Sequence, residues 1–452
     1  MTPKLSPHAA LLVLIVSTAL VRLIPAVNLG LGNDEAYHFL YAAHPALSYY
    51  DHPPMMAWVE SVGLLLPGAA DSTLRLRIGF ILLFAGSTWV LARLTARYFG
   101  GWSGFLAAFA LNISGYYGLA ASTLALPDGP LLFFWLWTID RLSIALEGPP
   151  SSRLVPWIWV GLAWGGAMLS KYHACFLPLG AALFVLLHRP MWRWVFQPGP
   201  YLALFSGLAV FSPVLLWNAD HHWVSFLFQG GRAVGSWTLR PDSLAVALLA
   251  QVAYLFPWIW VPLVIILVRG IRGGSTSDNR LVPQRLLLCL AVVPLGLFTA
   301  VACFRPVLPH WGLIGPASLF PMLGNRWWGL FTRDPGRSRR LLAAGAVWSC
   351  VVLAGALFEF HTGLFQRGGH GRFGVVDMRS DPTIDMYGWD QVASRMRTLG
   401  LLDDPQTFVF TRYWYQSAQI AYALGVTRPV LCYNADDPRG FAFWSRPGDW
   451  VG

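Results

Sequence analysis

Apolar stretches of about 17–25 residues, each bounded by charges or by Gly and Pro, recur along this chain. Candidate spans lie near 8–27, 77–95, 102–120, 129–147, 155–170, 173–188, 201–217, 243–268, 285–303, 309–328 and 341–359. The pattern predicts an all-α polytopic membrane protein with about eleven transmembrane helices, the pair 155–170 and 173–188 being the shortest. Residues 28–76, 218–242 and 361–452 break the rhythm. In the first of these, the run Asp34 to Leu65 mixes Tyr37, Phe39, Tyr41, Trp58 and Val59 with charges, which suits short amphipathic helices lying at the interface. Residues 361–452 have ordinary polarity, with a strand-like Thr407 to Thr411 and a helical Tyr413 to Leu424. They are expected to form a small α/β domain beyond a transmembrane domain of residues 1–360.

Composition supports the bilayer as solvent: 56% of residues are hydrophobic, 12% are charged and mean hydropathy is +0.51, whereas soluble domains carry about a quarter charged residues. The net charge of +10 raises the question of nucleic acid. With a cytoplasmic N-terminus, 16 lysines and arginines fall inside and 7 outside before residue 361, a bias that follows the positive-inside rule. These charges are spread over many short loops, so nucleic acid is not the implied partner. The first span is expected to stay on the protein, because similar spans follow it and no clear small-residue cleavage site does. Cys175, Cys289, Cys303, Cys350 and Cys432 form no CxxC pair and read as small core residues, supporting neither a disulfide framework nor a metal site.

An odd number of spans places 28–76, 218–242 and 361–452 on one outer side, and the candidate chemistry gathers there. Asp34 and Glu35 directly follow the first span and Asp128 precedes the fourth, so three carboxylates share one membrane boundary. Solvated loop ends are the bland alternative for each alone. Tyr49-Tyr50-Asp51-His52-Pro53-Pro54 adds an acid, an imidazole and two rings beside a rigid turn. Those aromatics stack on a sugar or isoprenoid, or form an ordinary interfacial belt. Lys171 in Leu169-Ser170-Lys171-Tyr172-His173 is the one lysine besides Lys4 and suits a phosphate partner as well as it suits a snorkelling helix end. His221-His222, Arg232, Arg305 and His310 add donors on the same side. Displacement of a lipid phosphate from an anomeric carbon needs a base for the acceptor and positive groups for the departing phosphate. Asp34 fits the first role, and Lys171, Arg305 and the histidines fit the second. No metal-ligand spacing such as HExxH is present, so no cofactor or obligatory metal is expected.

The motifs Leu31-Gly32-Asn33-Asp34-Glu35-Ala36-Tyr37 and Tyr49-Tyr50-Asp51-His52-Pro53-Pro54 resemble those of the C-type superfamily of membrane glycosyltransferases. The likeness is to the bacterial branch similar to protein O-mannosyltransferases and lipid A aminoarabinose transferases. It continues through Leu126-Pro127-Asp128-Gly129-Pro130, Leu169-Ser170-Lys171-Tyr172, Trp217-Asn218-Ala219-Asp220-His221 and Asp381-Pro382-Thr383 to Gly388-Trp389-Asp390. The resemblance implies an inverting transfer from a polyprenyl-phosphate sugar to a lipid, protein or polysaccharide at the outer face of a bacterial inner membrane. It also implies that the first outer loop supplies the base and that an acid such as Asp128 supports it. Where the aminoarabinose transferases carry acid-lysine-proline this chain has Asp51-His52-Pro53, which makes the phosphate contact an imidazole and binding pH-dependent. The candidate site is therefore Asp34, Glu35 and Asp128 for catalysis, with Tyr50, Asp51, His52, Lys171, Tyr172, His221, Arg232, Arg305 and His310 around the substrate. A transporter or flippase of lipid-linked sugars is the main alternative, but its usual internal repeat is not apparent. A non-catalytic scaffold would not need acids gathered on one face.

Overall fold

A computed structural model describes residues 5–68, 72–147, 154–231, 238–273, 282–367, 374, 376–377, 381, 383–403 and 407–444. Helix α1 (Pro7–Asn28) starts behind Ser6, whose side chain accepts the Ala9 N–H, with proline in the first turn where no donor is lost. The next loop carries the two expected short helices, α2 (Asn33–Ala43) and α3 (Met55–Leu64). Helix α4 (Thr73–Phe99) ends at Gly100, whose φ of +87° turns the chain directly into α5 (Gly101–Ile113). A π-helical turn (Tyr116–Ala120) and α6 (Ala121–Thr123) then lead to α7 (Asp128–Glu147) and α8 (Val155–Ser170). A 3₁₀ turn (Tyr172–Cys175) enters α9 (Phe176–Leu187), followed by α10 (Pro198–Asp220) and α11 (Val224–Gly231). Next come α12 (Pro241–Leu255), α13 (Pro257–Arg272) and α14 (Val282–Ala302). A 3₁₀ turn (Pro309–Leu313) and α15 (Ile314–Ala317) precede α16 (Phe320–Arg333) and α17 (Pro335–Thr362).

Among the described residues six helices are long and apolar enough to cross a membrane, or up to eight when each bent pair is one span; α8 and the stretch Tyr172–Leu187 are shorter apolar helices. Three expected spans are not single helices. The span 243–268 is two helices meeting at 116°, because Pro257 has no N–H to donate and forces Phe256 out of the helical region, to a φ of 64°. The span 102–120 bends by 81° after Ile113 into the π-helical turn. The span 309–328 opens as a 3₁₀ turn and a one-turn helix, since Pro309, Gly312, Gly315, Pro316 and Pro321 interrupt a continuous ladder.

Helices α8 and α10 cross at close range. A Cβ on Gly161 would lie 2.4 Å from the Ala203 carbonyl, and one on Gly165 would lie 2.9 Å from that of Gly207, the small-residue contact that lets membrane helices approach. Leu12, Val13, Val16 and Leu20 of α1 and Val347, Trp348 and Val351 of α17 are exposed, as lipid-facing side chains are. Beyond α17, β1 (Gln366–Arg367) pairs in parallel with β2 (Val376–Asp377). After α18 (Trp389–Thr398), β3 (Val409–Thr411), α19 (Trp414–Ala423) and β4 (Val430–Cys432) form a unit with β3 parallel to β4, Val409 opposite Val430. The strand and helix expected at 407–411 and 413–424 are β3 and α19. Helix α20 (Phe441–Trp444) follows. Helix α19 lies on α2: Gln419 donates to the Leu31 carbonyl at 2.8 Å, and Phe39 meets Tyr422 edge to face.

Candidate active site

Asp34 and Glu35 sit on the first turn of α2 but face different surroundings. Glu35 is buried and fully engaged. Arg77 of α4 donates to it twice, at 2.8 and 2.6 Å, and the N–H groups of Ala125 and Gly32 donate at 2.8 and 3.1 Å. The same guanidinium donates to the Leu29 and Gly30 carbonyls, both at 2.7 Å. Burial pushes the Glu35 carboxyl up, and Arg77 with these donors outweighs it and holds the carboxyl below the usual range. Glu35 is therefore a strut joining the α1–α2 turn to α4 and to the turn before Asp128. All four lone-pair positions of this carboxylate, which was expected to share the acid's work, are taken by these donors.

Asp34 is exposed, and its charge faces Arg439, His310 and Asp385. Deeper in, Asp128 at the start of α7 accepts from Lys171 Nζ at 3.0 and 2.9 Å. Lys171, in extended backbone as α8 ends, is buried. It is thus not a lone cation: Asp128 compensates its charge and leaves one ammonium N–H uncommitted. His310 lies between this pair and Asp34; burial and the neighbouring ammonium push its imidazole down to about 4. Its ring runs parallel to Tyr116, 5.8 Å away. His52 approaches from the first outer loop, facing Asp51, His38 and Lys171, and burial pushes it down to about 3 although Asp51 opposes this. Both imidazoles are neutral at physiological pH, each with one ring N–H donor and one bare nitrogen.

Asp51 joins three distant segments. Its carboxylate accepts from Tyr41 at 2.5 Å, from Tyr37 at 3.1 Å and from Arg439 Nη1 at 2.9 Å. Gln229 of α11 donates to its main-chain carbonyl at 2.6 Å, and Ser225 donates to that of Tyr49 at 2.8 Å. Burial would raise this carboxyl, yet the neighbouring His52, the Arg439 guanidinium and the Tyr41 hydroxyl outweigh it and keep it below the usual range. Asp51 is accordingly a scaffold for the turn that presents His52, where the sequence placed it against substrate. Tyr50 lies at the rim between Phe228 and Phe443. His221 stacks on Trp217 at 3.9 Å with Phe443 edge-on. The Tyr172 ring packs on Phe226 with its hydroxyl beside Ser48, Asn218 and Ser225. Arg305 is half-buried on the turn after α14, and Arg232 falls outside the described residues.

The structure therefore brings together Asp34, Asp128, Lys171, His52 and His310, with Asp51 beneath and Tyr50 at the edge. It adds Arg77, His38, Tyr116 and Arg439. His38, one helical turn after Asp34, was readable from the period of α2; nothing around Arg439 in Asp436-Asp437-Pro438-Arg439-Gly440 marks it.

Residues 51–217, which hold the Asp51–His52 turn, Asp128 and Lys171, match the family model described as dolichyl-phosphate-mannose-protein mannosyltransferase. The apo crystal structure of ArnT from Cupriavidus metallidurans superposes with a TM-score of 0.57 over 93% of this chain and 75% of that one, at 18% identity. The two chains share one fold. A lipid A galacturonosyltransferase, RgtD, of Rhizobium johnstonii is 27% identical over 288 residues, or 62% of this chain. The chain spans 57% of the length of that curated relative. In this fold the outer-loop turn, the start of α7 and the end of α8 meet at one point.

Proposed function

We propose that this protein moves a sugar from a polyprenyl-phosphate donor to a hydroxyl or phosphate oxygen of an envelope acceptor, with inversion, at the outer face of a bacterial inner membrane. The observation that carries the reading is the exposed Asp34 carboxylate facing the His310 imidazole, which in turn faces the buried Lys171–Asp128 pair that His52 also approaches. The named acceptor of one relative, lipid A, favours a glycolipid among the acceptors.

In this reading Asp34 takes the proton of the acceptor as its oxygen attacks the anomeric carbon. The bond from that carbon to the phosphate oxygen breaks with its electron pair, and polyprenyl phosphate leaves on the opposite face. Attack from behind inverts the anomeric centre. The charge growing on the phosphate meets the free N–H of Lys171 and the imidazoles of His52 and His310, each of which donates a ring N–H to a phosphate oxygen or takes up a proton and becomes a cation there. Arg232 and Arg305 are kept as outer donors, Tyr172 and His221 as supporting residues. No metal or other cofactor takes part. The isoprenoid tail lies along the exposed apolar helices in lipid.

Asp34→Asn tests this with purified protein, a labelled polyprenyl-phosphate sugar and a lipid extract as acceptor. Transfer should fall by about 10²–10⁴-fold while binding of polyprenyl phosphate persists; undiminished transfer removes Asp34 as the base.

A further inference from the structure

The segment carrying Arg439 and α20 reaches back over the site, and its backbone is strained where it does so. Arg439 has a φ of 46°, in the left-handed region that a non-glycine residue occupies only when its surroundings compensate. Those surroundings are specific. Nη1 bonds Asp51 at 2.9 Å, the guanidinium carbon lies 3.7 Å from the centre of the Trp414 ring, and Tyr37 and Phe228 flank it at 5.7 Å. The Gly440 N–H donates to the Tyr37 hydroxyl at 2.9 Å, and that hydroxyl donates to Asp51. Trp444 stacks on His44, and Phe443 sits against Tyr50 and His221. Every one of these contacts lands on α2 or the His44 that caps it, on the Tyr49–Pro54 turn, on the outer loop at 218–231 or on α19.

Resting on the transfer reading above, we infer that Arg439 is a positioning residue for the sugar-transfer site: through Asp51 it latches the C-terminal segment onto the turn that presents His52 to Lys171 and Asp128. The carboxylate alone, with phenols, amides and the imidazoles of His52 and His38 around it, would be a buried charge without a permanent counter-ion. With Arg439 in place the turn is fixed from both sides, by Gln229 and Ser225 on one and by the guanidinium on the other. The site is complete only while the segment is docked. A planar cation is required, because it must bond a carboxylate edge-on and lie on an indole face at the same time.

The test uses the full-length protein in nanodiscs with a labelled polyprenyl-phosphate sugar, comparing Arg439→Gln, Arg439→Lys, Asp51→Asn and the Arg439→Gln/Asp51→Asn double variant. Arg439→Gln should lower kcat by about 100-fold, the scale set by loss of alignment, with the donor KM little changed, and Arg439→Lys should recover part of the loss. In the Asp51→Asn background the same change should cost no more than about threefold, because the two residues act as one unit. Wild-type kcat in Arg439→Gln, or losses that multiply in the double variant, would overturn the inference. Should the wild type itself transfer nothing from any such donor, the transfer reading fails, and amide exchange decides the latch separately. Arg439→Gln should then speed exchange across residues 49–60, and unchanged exchange there would refute it.

Discussion

Glu60 is the buried acid that the proposed chemistry leaves idle. It is 0% exposed, neither carboxyl oxygen has a hydrogen-bond partner among the described residues, and burial with the nearby Glu35 charge pushes its carboxyl well above the usual range. It is therefore held as the neutral acid in the folded protein. An unfolded chain releases that proton from about pH 4.5 upward, so the contribution to stability is full below that point and is lost as pH rises towards the folded value. Glu60→Gln should raise the melting temperature at pH 8 more than at pH 5; an equal change at both would contradict the assignment. His52 gives the opposite kind of test. Its imidazole is neutral in the free protein, and a phosphate beside it would draw a proton. Affinity for polyprenyl phosphate should increase as pH falls from 8 to 5.5, by at most about tenfold per unit for one proton taken up, and His52→Gln should flatten that slope in a binding titration.

At the scale of helices, the Glu35–Arg77 pair decides how α2 sits on α4. Arg77→Met leaves a buried carboxylate without its partner and should cost about 3–5 kcal/mol, read as a lower melting temperature. Arg77→Lys should rescue little, since an ammonium cannot serve both carboxylate oxygens and two carbonyls in one plane. The crossing of α8 on α10 is equally intolerant: Gly161→Leu should give protein that inserts but aggregates on extraction, seen by size-exclusion chromatography. The helices show which features the sequence made readable. Length and apolarity located α1, α4, α7, α10, α14 and α17, because lipid rewards uninterrupted apolar surface. The same measure ran across Phe256–Pro257 and the Pro309–Pro321 stretch, where backbone chemistry and not hydropathy sets the break. Those prolines were visible as residues but not as bends of a given size.

For the whole molecule, proximity in sequence and proximity in space part company at the site. Asp34, Asp128, Lys171 and His310 were legible because each borders a span on one side, and spans that begin or end together bring their borders together. The division of Asp34 from Glu35 was not, since it depends on which face of α2 meets Arg77. Nor was Arg439, whose partner Asp51 lies 388 residues earlier and whose setting is a short polar segment like many others. That separation also sets a clock. At about 5–20 residues per second, a ribosome that has delivered Asp51 to the membrane needs on the order of 20–80 s more before Arg439 exists. Throughout that interval the acid at the centre of the turn has no counter-ion. It must wait either protonated or in water, and the turn that carries it is held from one side at most, by Gln229 and Ser225.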